Sequence, residues 1–150
     1  MRGEPVNVHG TAVVIATTGL LFIGPSGSGK SMLAHACIAS ALARGVFAAL
    51  VSDDQVFVSY RNGRVVATRP DTIKGLIELR GTGIATLPSV RRAKLDWAVL
   101  PGSLSEMERL PPEDEGFEVM QDVVLPLLRI PSESPAPLDH LARFVPFLGL

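Results

Sequence analysis

The sequence predicts one α/β domain, and three observations carry that prediction. Gly24-Pro25-Ser26-Gly27-Ser28-Gly29-Lys30-Ser31 matches the phosphate-loop pattern G-x-x-x-x-G-K-[ST], and it stands between an apolar run and a helix-forming run. Short apolar, β-branched stretches recur on both sides of it, at residues 11–16, 20–23 and 47–51. The 150 residues, 47% hydrophobic and 19% charged, suffice to bury one core without disulfides or a structural metal.

Each element follows from its local pattern. Residues 11–16 and 20–23 read as two strands joined by a tight turn at Thr17-Thr18-Gly19. Residues 30–43 are mostly Ala, Leu and Met, with Leu33, Cys37, Ile38, Ala41 and Leu42 at helical spacing, and Arg44-Gly45 supplies the stop. Residues 47–51 form a continuous apolar run ending in Ser52-Asp53-Asp54, as a buried strand with a polar tip would. Residues 55–60 and 65–68 bracket Asn62-Gly63, the preferred pair for a type I′ hairpin turn. Ile73, Leu76, Ile77 and Leu79 then lead into a second Gly loop at 80–83, and residues 95–100 make a further strand. Towards the C-terminus, Pro111-Pro112 and Glu113-Asp114-Glu115 mark a loop. Residues 123–130 read as an edge strand interrupted by Pro126, the Pro/Ser/Glu stretch at 131–135 as a solvated loop, and residues 138–147 as a terminal helix after Pro137.

Composition excludes several function classes. A net charge of −1 without a Lys/Arg block argues against a nucleic-acid surface built on phosphate contacts. The longest apolar stretches fall far short of the roughly 20 residues a membrane helix needs. Cys37 is the one cysteine, so no intramolecular disulfide forms, and no His spacing joins it in a zinc site. The first five residues carry no apolar secretory core, and a cytoplasmic setting is expected.

The chemistry centres on the phosphate loop. Its glycines let backbone N–H groups turn inward as an anion nest, and the following helix adds the positive end of its dipole. Lys30 would reach the β- and γ-phosphates of ATP or GTP, and the Ser31 hydroxyl would ligate Mg²⁺. Asp53 and Asp54 at a neighbouring strand tip suggest base chemistry beside the γ-phosphate; the alternative is a pair of turn formers. Strand 97–100 ends in Pro101-Gly102 with no acid at its tip, which favours a kinase over an ATPase motor. Glu78 and Arg80, beside Gly81-Thr82-Gly83, read either as a metal acid and a phosphate cation or as a surface loop. His9 reads as site lining or as a plain exposed histidine, while His35 and His140 fall on helices and read as structural or solvated. A small-molecule kinase using Asp53 or Asp54 as base for a metabolite hydroxyl and a nucleotide-gated binding module both stay open on these residues.

The ordered set His9-Gly10, Gly24-x-Ser26-Gly27-x-Gly29-Lys30-Ser31, Val51-Ser52-Asp53-Asp54 and Glu78-Leu79-Arg80-Gly81-Thr82-Gly83-Ile84 resembles the HPr kinase/phosphorylase family, over residues 8–110. The resemblance implies a P-loop kinase fold with a mixed sheet, shared with phosphoenolpyruvate carboxykinases, spanning residues 1–150 as one catalytic domain. It implies phosphate transfer from ATP, with Mg²⁺, to a serine of the phosphocarrier protein HPr, and assembly as a homohexamer. Residue by residue, it makes Lys30 the β/γ-phosphate cation, Ser31 and Glu78 the Mg²⁺ ligands and Asp54 the proton acceptor. It also raises His9 to an active-site residue and, through Arg109-Leu110, makes Arg109 a candidate catalytic arginine. The chain lacks the N-terminal domain of longer members, is shorter between Gly83 and Lys94, and has no match to the basic C-terminal segment associated with the reverse, phosphorylase reaction. That reaction is therefore expected to be weak or absent.

Overall fold

The computed structural model describes residues 4–146. In chain order the elements are β1 (Val6–His9), β2 (Thr11–Ile15), β3 (Thr18–Phe22), α1 (Lys30–Ala43), β4 (Ala48–Ser52), β5 (Gln55–Arg61) and β6 (Arg64–Thr68). These are followed by β7 (Leu76–Leu79), β8 (Gly83–Thr86), β9 (Arg92–Leu95), β10 (Trp97–Gly102), β11 (Gly116–Met120), β12 (Val123–Pro131) and α2 (Pro137–Ala142). A six-stranded sheet has the order β11-β12-β10-β3-β2-β4, a four-stranded sheet the order β1-β5-β6-β9, and β7-β8 form a separate hairpin. The large sheet is mixed: β3-β10 and β10-β12 are parallel, while β2 is antiparallel to both β3 and β4.

Three layers result, and strand alternation builds them. Val13, Ile15, Leu20, Phe22 and Leu50 face α1 and α2, where they meet Leu33, Ile38, Leu138 and Leu141. Their neighbours Ala12, Leu21, Ile23 and Val51 point the other way, onto Val56, Val58, Val65 and Leu95 of the four-stranded sheet. Covered on both faces, β2, β3 and β4 are buried at every position, which explains their continuous rather than alternating hydrophobicity.

Helix α1 and the Asn62-Gly63 hairpin match the sequence expectation, the latter with φ of 53° and 76° at its two turn residues, as type I′ requires. Three expectations need correction. The 95–100 strand is split at Asp96: Leu95 ends β9 in the small sheet and Trp97 begins β10 in the large one. Residues 123–130 do not form an edge strand, since β12 lies between β11 and β10. Pro126 is tolerated because Leu127 N donates towards β11, to Glu115 O, so the Pro126 nitrogen faces the β10 side one residue before that ladder begins at Ala98–Leu127. Helix α2 ends at Ala142, short of the expected residue 147; Pro146 disfavours helical geometry at Val145, and Phe147 lies outside the described residues.

Strands β3, β4, β10 and β12 all run the same way, so their C-terminal ends open onto one edge of the large sheet. Residues 24–29, 53–54, 103–109 and 132–135 gather there, together with His9, which leads into Thr11 opposite Phe22.

Candidate active site

At the end of β3 the chain turns through Gly24, Gly27 and Gly29 at φ of 126°, 82° and 102°, values that side chains resist, before entering α1 at Lys30. No side chain caps this helix and its own first turn holds no acid, so its leading backbone N–H groups are not taken up by a capping side chain. Lys30 is only 7% exposed. Its ammonium donates to Gly24 O at 2.8 Å and Pro25 O at 3.0 Å, and its third contact is His9 Nε2 at 3.4 Å. An ammonium has only donors, so Nε2 accepts; the His9 proton is thereby assigned to Nδ1, which faces Asp54 Oδ1 at 3.2 Å. Burial lowers the Lys30 pKa below the usual lysine value, against the opposing pull of Asp54 and then Asp53.

The two aspartates at the end of β4 are held differently. Asp53 Oδ1 accepts from Ser31 Oγ at 2.7 Å and from Thr11 Oγ1 at 2.9 Å, and its Oδ2 accepts from Glu78 N at 3.1 Å. Asp54 leaves the strand in the left-handed region, at φ 75°, a conformation Asp tolerates better than most residues, and Gly10 N donates to its carbonyl at 3.2 Å. Its side chain is 69% exposed and has the neutral His9 ring against it, through Nδ1.

These groups line a cleft of about 490 Å³. The structure brings together His9, Ser26, Gly27, Gly29, Lys30, Ser31, Asp53, Asp54, Glu78 and Arg80, and the Arg80 guanidinium lies against Gly27. Gly24 and Pro25 support the cleft through their carbonyls on Lys30, while Ser28 Oγ is buried with no hydrogen-bond partner. Arg109 is not brought in: it is exposed in the loop after β10 and does not line the cleft. Among the described residues no group of three or more His, Cys, Asp or Glu is arranged for a metal ion. The donor set, one hydroxyl at Ser31 and one carboxylate at Glu78, fits Mg²⁺, which takes most of its ligands from phosphates and water.

Sequence reasoning missed Thr11, which is fully buried and fixes Asp53; as the first residue of an apolar strand it reads as an ordinary β former. It also missed the apolar wall of Met32, Ile73, Leu76, Ile77 and Ile84, of which β7 and β8 supply three. The Ile73-Leu76-Ile77 pattern is visible in the sequence, but nothing local shows that it folds over the phosphate loop.

Comparison with known proteins agrees with this geometry. The chain is 38% identical over 98 residues to the HPr kinase/phosphorylase of Mycoplasmopsis pulmonis, covering 65% of this chain and 29% of that protein. It is 30% identical over 140 residues to the HPr kinase/phosphorylase of Geobacter sulfurreducens, covering 83% and 40%. The chain thus spans less than half the length of these curated relatives. Its fold is similar to that of the Hpr(Ser) kinase/phosphatase from Coxiella burnetii, with a TM-score of 0.75 at 23% identity over 94% of both chains. The family model for the HPr Serine kinase C-terminal domain matches residues 3–91, which hold every cleft residue named above, and the chain belongs to that family.

Proposed function

We propose that this chain is an ATP- and Mg²⁺-dependent protein serine kinase that phosphorylates an HPr-type phosphocarrier protein. One observation carries the reading: a carboxylate, Asp54, faces the cleft while paired to a histidine whose other ring nitrogen meets the phosphate-loop lysine. A nucleotide-binding module has no use for a base placed there.

In this reading the phosphate-loop amides and Lys30 hold the β- and γ-phosphates, with Lys30 exchanging its two loop carbonyls for phosphate oxygens. Ser31 and Glu78 hold Mg²⁺, which when bound offsets the charge on the phosphates. Ser31 donates its proton to Asp53, so its oxygen lone pairs stay free for the metal. Asp54 accepts the proton of the substrate serine as its oxygen attacks the γ-phosphorus, and the His9 Nδ1–H keeps the carboxylate aimed. Arg80, against Gly27, is a further cation for the phosphates, and Arg109, outside the cleft, is given no step. The homohexamer is taken from the family resemblance and the cytoplasmic setting from the sequence composition; among the described residues no helix is long and apolar enough to cross a membrane.

The test is transfer from ATP to purified HPr with Mg²⁺, read as phosphoserine. The expected result is stoichiometric transfer that Lys30→Ala abolishes. Transfer persisting in that variant, or phosphorylation of a metabolite hydroxyl with none on HPr, would refute the reading.

A further inference from the structure

The outer face of the four-stranded sheet has no layer over it, and its composition is one-sided. Register and strand alternation place Asn7 and His9 of β1, Gln55, Phe57, Ser59 and Arg61 of β5, Arg64, Val66 and Thr68 of β6, and Arg92 and Lys94 of β9 on that face. Four of these are cations and none is an acid. The chain as a whole carries 14 Lys and Arg against 15 Asp and Glu, so this is a local separation of charge, not a basic protein.

Three of the four cations are also left unneutralised. Arg61, Arg64 and Arg92 are exposed and have no carboxylate partner among the described residues. Lys94 alone is paired, 3.0 Å from Asp96, whose other oxygen accepts from Gly19 N. At the edge of the face Asp122 lines the same shallow cavity as Arg64, Lys94 and Asp96. Arg61 and Arg64 stand directly opposite each other across the hairpin end. Like charges in that position destabilise a sheet, and among the described residues neither arginine has an ion-pair partner.

The face is continuous with the cleft. Arg92 is in register with Thr68, Thr68 with Phe57 and Phe57 with Asn7, two residues before His9. From Gln55, opposite His9, to Arg61 the surface runs about 20 Å along β5. A globular substrate that presents a serine to Asp54 would lie across part of it.

We propose that this sheet face is the docking surface for the protein substrate, and that it receives a flank of that substrate carrying clustered carboxylates. This rests on the protein-kinase reading above. Charge complementarity of this kind acts on encounter and on KM, with little effect on the chemical step, and salt screens it.

The experiment compares wild type with Arg61→Glu/Arg64→Glu and Arg61→Gln/Arg64→Gln in transfer from ATP to an HPr protein, at low ionic strength and at about 0.5 M salt, where the Debye length falls to a few ångström. The double reversal keeps a like-charged pair, so its folding is comparable to wild type, and the neutral pair removes the repulsion. The expected result at low salt is a KM about tenfold higher for the reversal, an intermediate value for the neutral pair and an unchanged kcat, with the three proteins converging at high salt. Equal KM values at low salt, or a difference that salt does not reduce, would overturn the docking surface alone. So would a change in oligomeric state on reversal, which assigns the face to self-association, or duplex DNA binding by wild type that the reversal abolishes. No phosphoseryl-HPr from wild type would overturn the kinase reading, and the docking with it.

Discussion

Ser31 Oγ donates to Asp53 Oδ1 across 2.7 Å, tying the first turn of α1 to the end of β4. Thr11 from β2 shares the same oxygen and Glu78 N from β7 takes the other, so one carboxylate holds four elements in register around the cleft. The carboxylate of the next residue, Asp54, lies against His9 and is otherwise exposed at the cleft. Two adjacent, chemically identical side chains are thus held differently, one as a strut between elements and one exposed at the cleft, where the proposed reading makes it the base.

That division gives different losses on substitution. Asp54→Asn is expected to lower kcat by about 10²–10⁴-fold with nucleotide binding retained, the usual range for loss of a general base. Asp53→Asn replaces one acceptor oxygen with an NH₂ facing donors, at about 1–3 kcal/mol, or several degrees in Tm. Turnover at saturating ATP and thermal melts of both variants check this; a larger kcat loss for Asp53→Asn would reverse the roles.

Lys30 sets an alkaline signature. Its pKa is lowered in the folded protein, so between that value and the unfolded value near 10.5 the unfolded chain binds more protons, and stability rises with pH across the window. Below the folded pKa the full burial penalty on the charged lysine is present. Urea midpoints of wild type and Lys30→Met from pH 7 to 10.5 should show wild type gaining on the variant as pH rises. A gap that moves the other way excludes desolvation as the dominant influence on this lysine.

Cys37 is fully buried in α1, and burial pushes its thiol up to about 12. At pH 8 it should resist a disulfide reagent in the folded protein and react at once in denaturant. The rate of labelling then reports opening of the helix layer, and rapid labelling without denaturant would show that layer to be loose.

The reverse reaction should be weak. Arg129 is the one cation of the segment 129–137, and Glu115 holds it in a two-pronged pair, Nε to Oε1 at 2.8 Å and Nη2 to Oε2 at 3.0 Å. Its charge is therefore committed and poorly placed to gather a second phosphate. The Arg129 hydrogen bond holds Glu115 below the ordinary 4.5, so the pair's contribution is present above that pH and fades as pH falls through the lowered value. Phosphoseryl-HPr with millimolar phosphate should release pyrophosphate far more slowly than the forward reaction runs, and comparable rates would contradict this. NMR titration of Glu115 in Arg129→Met should return it to the ordinary range.

The parts legible in the sequence are those fixed by neighbours along the chain. The turns of the phosphate loop, the span of α1 and the Asn62-Gly63 hairpin each depend on a few consecutive residues, and all stand as the pattern implies. The corrections come from distant pairing. Pro126 argues for an edge until β10 and β11 are known to flank β12, and the break at Asp96 is invisible because both its sides are apolar and only the sheet they join differs. In the site, Lys30 is marked by its motif and the Asp53-Asp54 pair by its strand tip, His9 only by the family resemblance, whereas Thr11 joins the site only through a partner 42 residues away.

The pairing of β3 with β10 also governs when the protein becomes competent during synthesis. The strand that carries the phosphate loop has β2 on one side, available almost at once, but its other neighbour is Trp97–Val99, and Ile23 N at the very base of the loop donates to Val99 O. A ribosome adding about 5–20 residues per second needs roughly 3–14 s to pass from Lys30 to Val99. Until then the nascent chain holds the full phosphate-binding motif on a strand with one open edge, exposed to mispairing. The base of the loop is therefore completed only when β10 arrives, although Ser31, the last residue of the motif, precedes Trp97 by 66 positions.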